Sequence, residues 1–356
     1  MSDHTHIEWT DSTWNPITGC SVVSAGCKHC YAMRLAGTRL RHHPSRAGLT
    51  RPTAAGPVWT GDVRLNTDSL DQPLHWKKPR RIFVCAHSDL FHPNVPNDWI
   101  DLIFVAMSLA PQHTFQILTK RPARMLDWFQ SNPYERILGL ADIIRASRPH
   151  LCSVGISDPN ITPWPNVWLG VSVENQATAD KRIRLLLDTP AAVRFVSAEP
   201  LLGPLDLLNG DPDPRLAGHV ATATYIGDWW EPGDGLNSAI RHGLNWVIAG
   251  GESGPNARPS HPDWFRSLRD QCQAAGLPFF FKQWGEWEIA SIENGHVDCV
   301  MPDTGERYIW IGHDGRSQPK SSNGLDQAYA MARVGKRAAG RVLDGRTWDE
   351  FPRSAP

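Results

Sequence analysis

The sequence has no apolar run long enough to cross a bilayer. The longest, Ile100 to Ala110, is interrupted by Asp101 and Ser108 and falls short of the roughly 20 residues that a spanning helix needs. Net charge is also missing: 36 Lys and Arg face 37 Asp and Glu, a formal −1 at pH 7. That balance excludes a histone-like or polybasic nucleic-acid binder, while leaving room for a local basic groove. Nor is the chain poor in apolar residues as a disordered one is: 41% are apolar and 21% charged, enough for a large core. Asp3, His4, His6 and Glu8 stand where a secretory signal would carry its apolar segment, so a reducing cytoplasm is the expected compartment. There is no internal repeat and no low-complexity tract. The oligomeric state stays open.

What is present begins with cysteine. The chain of 356 residues has seven, an odd number in a chain too long to need disulfide staples. Cys85, Cys152, Cys272 and Cys299 are scattered and read as buried core residues, with Cys85 in a strand-like run, Arg81 to Ala86. Cys20, Cys27 and Cys30 are different, because they cluster in a loop rich in Gly19, Ser21, Ser24 and Gly26. Three thiolates satisfy three irons of a 4Fe–4S cluster and leave the fourth open, as a catalytic cluster requires. Zinc is the rival, with His29 or a distant His as fourth ligand. A chance trio of reduced thiols is the ordinary alternative.

Apolar, β-branched and aromatic runs predict seven strands over 14–18, 81–86, 114–118, 167–173, 192–196, 245–249 and 277–281. Helical patterns at 99–107, 179–187 and 262–270 lie between several of them. Strand–helix alternation with continuous apolar strands argues an α/β fold: a partial or complete (β/α) barrel of parallel strands over 1–285, with a small C-terminal extension over 286–356. Insertions fall at about 41–78, 131–165 and 210–237, the second with a helical middle at 136–146. The extension reads as short strands to about 311 and a basic helix over 327–343.

Polar groups gather where those strands end. Cys20 follows the first strand, Ser88 and Asp89 the second, Lys120 and Arg121 the third. Ser172 and Glu174 end the fourth, Glu199 the fifth, Gly250, Gly251 and Glu252 the sixth, and Lys282 the seventh. Each alone reads as a cap or solvated turn; together they mark the functional end of a parallel barrel. His87, Asp89 and His92 form a rival set for zinc or non-haem iron. A third possibility is a non-enzymatic interaction protein with a structural metal. Sixteen Trp are core packing in the ordinary reading. Those in loop-like segments (Trp59, Trp76, Trp164, Trp229, Trp230, Trp284, Trp287) would stack bases if exposed beside cations. Basic stretches run through Arg39, Arg41, His42, His43, Arg46 and Arg51, and through Lys336, Arg337, Arg341 and Arg346.

The runs Ile7 to Cys20 and Gly26-Cys27-Lys28-His29-Cys30-Tyr31-Ala32 resemble the opening of the phage Gp37/Gp68 family of bacteriophage and bacterial proteins. Ser88 to His92, Leu118 to Pro122, Trp168 to Glu174, Ala249 to Gly254, Phe281 to Gly285 and Gly335 to Arg346 extend that resemblance over nearly the whole chain. The cysteine trio resembles that of radical S-adenosylmethionine (SAM) enzymes, with six residues instead of three between the first two cysteines.

That resemblance implies an enzyme with two cofactors, a 4Fe–4S cluster and SAM, supplied by an external electron donor. Cys20, Cys27 and Cys30 would ligate the cluster, and His29 would lie near the adenine. Ser88 and Asp89 would hold the SAM amino group, Ser172 and Glu174 the ribose. Gly250, Gly251 and Glu252 would admit the adenosine. Lys120, Arg121, Glu199 and Lys282 would line the substrate side, in the catalytic position. A 5′-deoxyadenosyl radical would then modify or repair a substrate, with nucleic acid suggested by analogy to spore photoproduct lyase. No membrane partner is implied.

Overall fold

The structure, a computed structural model, describes residues 5–147, 163–208, 243–290, 292–293, 296–297, 308–318 and 328–352. The insertion expected at 210–237, residues 148–162 of the one at 131–165, and Cys152, Cys299, Trp229 and Trp230 lie outside these residues.

Runs of Val, Ile, Phe and Trp form seven strands: β1 (Ser12–Trp14), β2 (Arg81–Val84), β3 (Thr114–Thr119), β4 (Val167–Ser172), β5 (Val193–Ala198), β6 (Trp246–Gly250) and β7 (Phe279–Gln283). They lie side by side in chain order and every pairing is parallel. Among the described residues no ladder joins β1 to β7, so the sheet is a half-barrel. Helices make the crossovers: α1 (Tyr31–Gly37) follows the cysteine loop, and α2 (Asn97–Ser108) joins β2 to β3. Next come α3 (Pro122–Gln130) and α4 (Pro133–Ser147), then α5 (Gln176–Leu187), and α6 (Pro262–Ala274) before β7. Local chemistry sets their starts. Asn175 and Thr178 form a reciprocal capping box on α5, and proline opens α3 and α6, where its missing N–H costs nothing. None of the described helices is long and apolar enough to cross a membrane.

Alternation along each strand divides the interior. One set of residues, including Val84, Ile117, Leu169, Val196 and Phe281, packs under the helices. The other, Phe83, Trp168, Phe195, Trp246, Ile248 and Phe280, faces the concave side. Both faces are buried, as parallel strands require. The concave side is filled by the chain itself: Trp9 packs 4.7 Å from Phe83 between ring centroids, and Phe351 lies 5.1 Å from Trp246.

Three expectations change. The strand read over 14–18 is two pieces, since Ile17–Thr18 leaves the main sheet to pair with Arg64–Leu65. The basic helix read over 327–343 begins as a strand, Tyr329–Arg333, in an antiparallel sheet with Trp287–Ile289 and Tyr308–Ile311. Only α7 (Lys336–Ala339) is helical there. The Tyr-Ala-Met-Ala-Arg composition favours a helix, but pairing to two neighbours overrides local propensity. Thirdly, the described loop tryptophans, Trp59, Trp76, Trp164, Trp284 and Trp287, are all buried, so packing accounts for them.

Candidate functional site

Parallel pairing brings the C-terminal ends of all seven strands to one edge. An isolated parallel bridge between Gly19 and Ser88 extends that edge and sets Cys20 beside the end of β2. Above the aromatic filling, a cavity of about 590 Å³ opens at this edge, within the range of small-molecule sites. Trp9, Phe83 and Leu118 line its apolar part. Cys20, Cys27, Cys30, His29, Ser88, Asp89, Lys120, Arg121, Ser172, Glu199, Gly251, Glu252 and Lys282 all line it; Glu174 and Gly250 do not.

The cysteine loop is fastened to the strand ends by charge-assisted hydrogen bonds. Arg121, after β3, donates to Cys20 Sγ at 3.6 Å, to Ser21 O at 3.0 Å and to Ser21 Oγ at 2.8 Å. His92 Nε2 lies 2.8 Å from the same hydroxyl; its Nδ1 accepts from the Asn94 N–H, so Nε2 carries the proton. Ser24 Oγ donates to Glu174 Oε1 at 2.7 Å. Arg258 bridges Glu252, at 2.6 Å, and Ala25 O, at 2.9 Å.

Glu174 is the centre of this fastening. Its side chain is 1% exposed and accepts from Lys120 Nζ at 2.6 Å and Arg182 Nη1 at 3.1 Å. Lys120 also donates to Ser172 Oγ. Burial raises the Glu174 pKa, but Lys120 and Arg182 outweigh it and hold the carboxyl below its usual range. Glu174 therefore braces the cysteine loop from beneath, and the ribose contact implied for it does not fit this orientation.

Asp89 is also taken up by the chain. Its oxygens accept from the Phe91 N–H, Thr119 Oγ1, the Lys120 N–H and Arg121 Nη1, at 2.7–3.1 Å. Four donors fill a carboxylate, so Asp89 positions Arg121 and has no lone pair left for a ligand's ammonium. Gly251 is explained by packing as well: a Cβ there would meet Trp284 O at 1.9 Å, so the missing side chain admits neighbouring backbone. Glu199, 20% exposed, accepts from Lys282 Nζ at 2.7 Å, with Gln283 Nε2 at 3.3 Å. Lys282 Nζ also reaches its second oxygen at 2.9 Å, so with three hydrogen bonds to Asp89's four Glu199 keeps an acceptor position to spare.

Burial pushes the Cys20 thiol up to about 12 and raises that of Cys30. His87 and His92 are both lowered to about 4 by burial, helped by Arg46 and Arg121 respectively. His87 Nδ1 faces Arg46 Nη2 at 3.0 Å. The rival His87–Asp89–His92 set is thus dispersed, each member engaged elsewhere. Among the described residues no group of three or more His, Cys, Asp and Glu side chains is arranged to hold a metal ion. The second basic stretch is mostly engaged too. Lys336 lines the cavity rim and lies 3.5 Å from Glu8. Arg341 pairs with Asp349, and Arg346 stacks 3.6 Å over Trp348.

Gly26, Ser24, Arg182, Arg258 and Cys85 belong to this site without having been singled out for it. Cys85 sits just past β2 at φ 59°, buried, and lines the cavity. Gly26 carries a measurable consequence. A Cβ there would stand 2.5 Å from Glu174 Oε1, closer than any real contact. Gly26→Ala is expected to shift the cysteine loop and change the rate at which its thiols react with a thiol reagent several-fold, with a melting temperature near that of the native protein. Native thiol reactivity in this variant would show that the loop's seat on Glu174 is immaterial.

A family model described as a protein of unknown function (DUF5131) matches residues 4–352. No curated protein and no solved structure matches the chain.

Proposed function

Proceeding from a chain that belongs to the DUF5131 family, we propose that it is a three-thiolate iron–sulfur enzyme that activates SAM and acts on a substrate held at the strand-end cavity. The observation that carries this reading is that Cys20, Cys27 and Cys30 line one cavity at the functional end of a parallel half-barrel. The resemblance to the Gp37/Gp68 family, and of the trio to radical SAM enzymes, supports it.

Three soft thiolates are a donor set that an iron–sulfur cluster would take, one to each of three irons. Cys20, Cys27 and Cys30 would hold such a cluster, and the chemistry it would supply there is one-electron reductive cleavage of the SAM C–S bond to methionine and a 5′-deoxyadenosyl radical.

The residues of the chain do the rest. Cys20 and Cys30 are protonated in the metal-free protein, so loading releases protons, and Arg121 steadies the Cys20 thiolate. Glu199 and Lys282 offer adjacent opposite charges to the ammonium and carboxylate of an amino acid. The imidazole of His29 presents a flat ring to an adenine. Trp9, Phe83 and Leu118 keep water from the inner wall. An external one-electron donor and a reducing, cytoplasmic setting follow from the same reading.

Anaerobic purification tests it. The protein is expected to be brown, with sulfur-to-iron charge-transfer absorbance and about four irons per chain. After reduction it should cleave SAM slowly to 5′-deoxyadenosine. A colourless protein with one tightly held zinc would replace this reading with a structural-metal interaction protein.

A further inference from the structure

Residues 12–61 contain no Asp or Glu, yet carry Lys28, Arg34, Arg39, Arg41, Arg46 and Arg51. The rest of the chain carries 30 Lys and Arg against 37 Asp and Glu, so a segment of single positive sign sits in a chain that is acidic elsewhere. It also folds around a small core of its own. Helix α1 packs on the hairpin Thr50–Arg51/Val58–Trp59, and Ala32, Met33, Ala36, Leu49 and Trp59 pack together with Cys20 and Cys30 against them. The thiols and the basic segment are therefore one unit.

Arg46 is internal, bonded to His87 and to Ser45. The other five cations are exposed. Arg41 Nε donates to His42, and among the described residues none of the five meets a carboxylate. The buried carboxylates that abut the unit are already engaged: Asp89 with Arg121, Glu174 with Lys120 and Arg182, Glu252 with Arg258. Their charge is thus cancelled within the site, and that of the five cations is not. The unit also reaches the cavity. Arg34 lies beside Gly254, in the loop after β6. Tyr31 lines the cavity although 44% exposed, its hydroxyl donating to Ala86 O at 2.6 Å.

We propose that this acid-free unit binds the sugar–phosphate backbone of a single-stranded nucleic acid and presents one of its bases to the cavity. Four of the five exposed cations are arginines, whose planar forks match phosphate oxygens two at a time. Tyr31 offers a flat face for a base. A base inside a duplex stack could not reach a concave site without being extruded, so a single strand is the form the cavity accepts. The inference names the substrate class of the site proposed above and rests on that reading for its chemistry. The binding itself needs no cofactor.

Fluorescence anisotropy of the full-length protein with a labelled single strand of mixed sequence, across a salt series, tests it. Log affinity should fall with log salt by about 0.7 per phosphate neutralised. The triple variant R39A/R41A/R51A alters only exposed side chains. It should reduce that slope by about 2 and weaken low-salt binding about tenfold or more, with an unchanged melting temperature. Tyr31→Leu should weaken binding while leaving the slope as it was. A triple variant that binds like the native protein overturns the proposal, as does binding without salt dependence. Poly-glutamate competing as well as the oligonucleotide also overturns it, in favour of an acidic protein partner. Iron content and SAM cleavage measured on the same preparation separate the two readings. Oligonucleotide binding without iron removes the cofactor reading alone, and SAM cleavage without oligonucleotide binding removes this one alone.

Discussion

With the proposed cluster on the cysteine trio, Cys20→Ala, Cys27→Ala and Cys30→Ala are each expected to lose nearly all iron, whereas Cys272→Ala and Cys85→Ala are expected to keep it. A cube held by three thiolates has no spare ligand, so losing one leaves two irons anchored and two open to solvent. Cys272 is fully buried in the core beneath the helices. Its truncation leaves a small void and costs on the order of 1 kcal/mol. Cys85 is the sharper control, because it lines the same cavity. Its thiol, pushed up to about 12 by burial and hydrogen-bonded with Ser88, stays a protonated wall residue. Iron per chain and melting temperature, measured together on all five variants, decide the assignment. Iron retained when Cys20, Cys27 and Cys30 are all replaced would mean that the ligands lie elsewhere.

Replacing Glu174 has the second large effect, and it reaches beyond the metal. Glu174→Ala strands Lys120 and Arg182, whose side chains are 19% and 8% exposed. Removing one partner of a buried ion pair costs about 3–5 kcal/mol. Ser24 loses its acceptor at the same time, so the cysteine loop loosens, and loading of the proposed cluster is expected to fall with stability. The pH dependence identifies the cause. The carboxyl lies below its usual range in the folded protein, against about 4.3 when unfolded. Its contribution is complete above the unfolded value and is lost as pH falls through the folded one. The stability gap between the native protein and Glu174→Gln should therefore be wide at pH 7 and narrow as the pH drops below about 4. A gap of constant width would assign Glu174 a packing role and no electrostatic one.

The strands were legible because burial on both faces leaves an unmistakable signal: unbroken runs such as Val167 to Ser172 and Trp246 to Gly250. The strand-end residues were legible as a set, because parallel order puts every C-terminus at one edge. Their individual roles were not. Asp89 and Glu174 look like ligands in one dimension and become braces in three, once donors up to 150 residues distant close on them. No spacing rule announces that Gly26 must stay small for Glu174, or that Arg258 reaches Ala25. The C-terminal strand was misread for a related reason: Tyr329–Arg333 is extended only because Trp287–Ile289 and Tyr308–Ile311 flank it. Tryptophan misled in the other direction, since abundance carries no information about side. Trp76 and Trp164 are both buried.

The concave face has a consequence for synthesis. Its aromatic row, Phe83, Trp168, Phe195, Trp246 and Phe280, is covered from one side by Trp9 and from the other by Phe351. On the ribosome, Trp9 is available from the outset but finds Trp246 only after most of the chain has emerged, and Phe351 comes later still. Until then the growing sheet shows water a band of bare rings, the surface that chaperones grip and that promotes aggregation. Contacts between segments so far apart in sequence form slowly. Production of this protein should accordingly gain more from slowed translation and added chaperone than from any change at its surface.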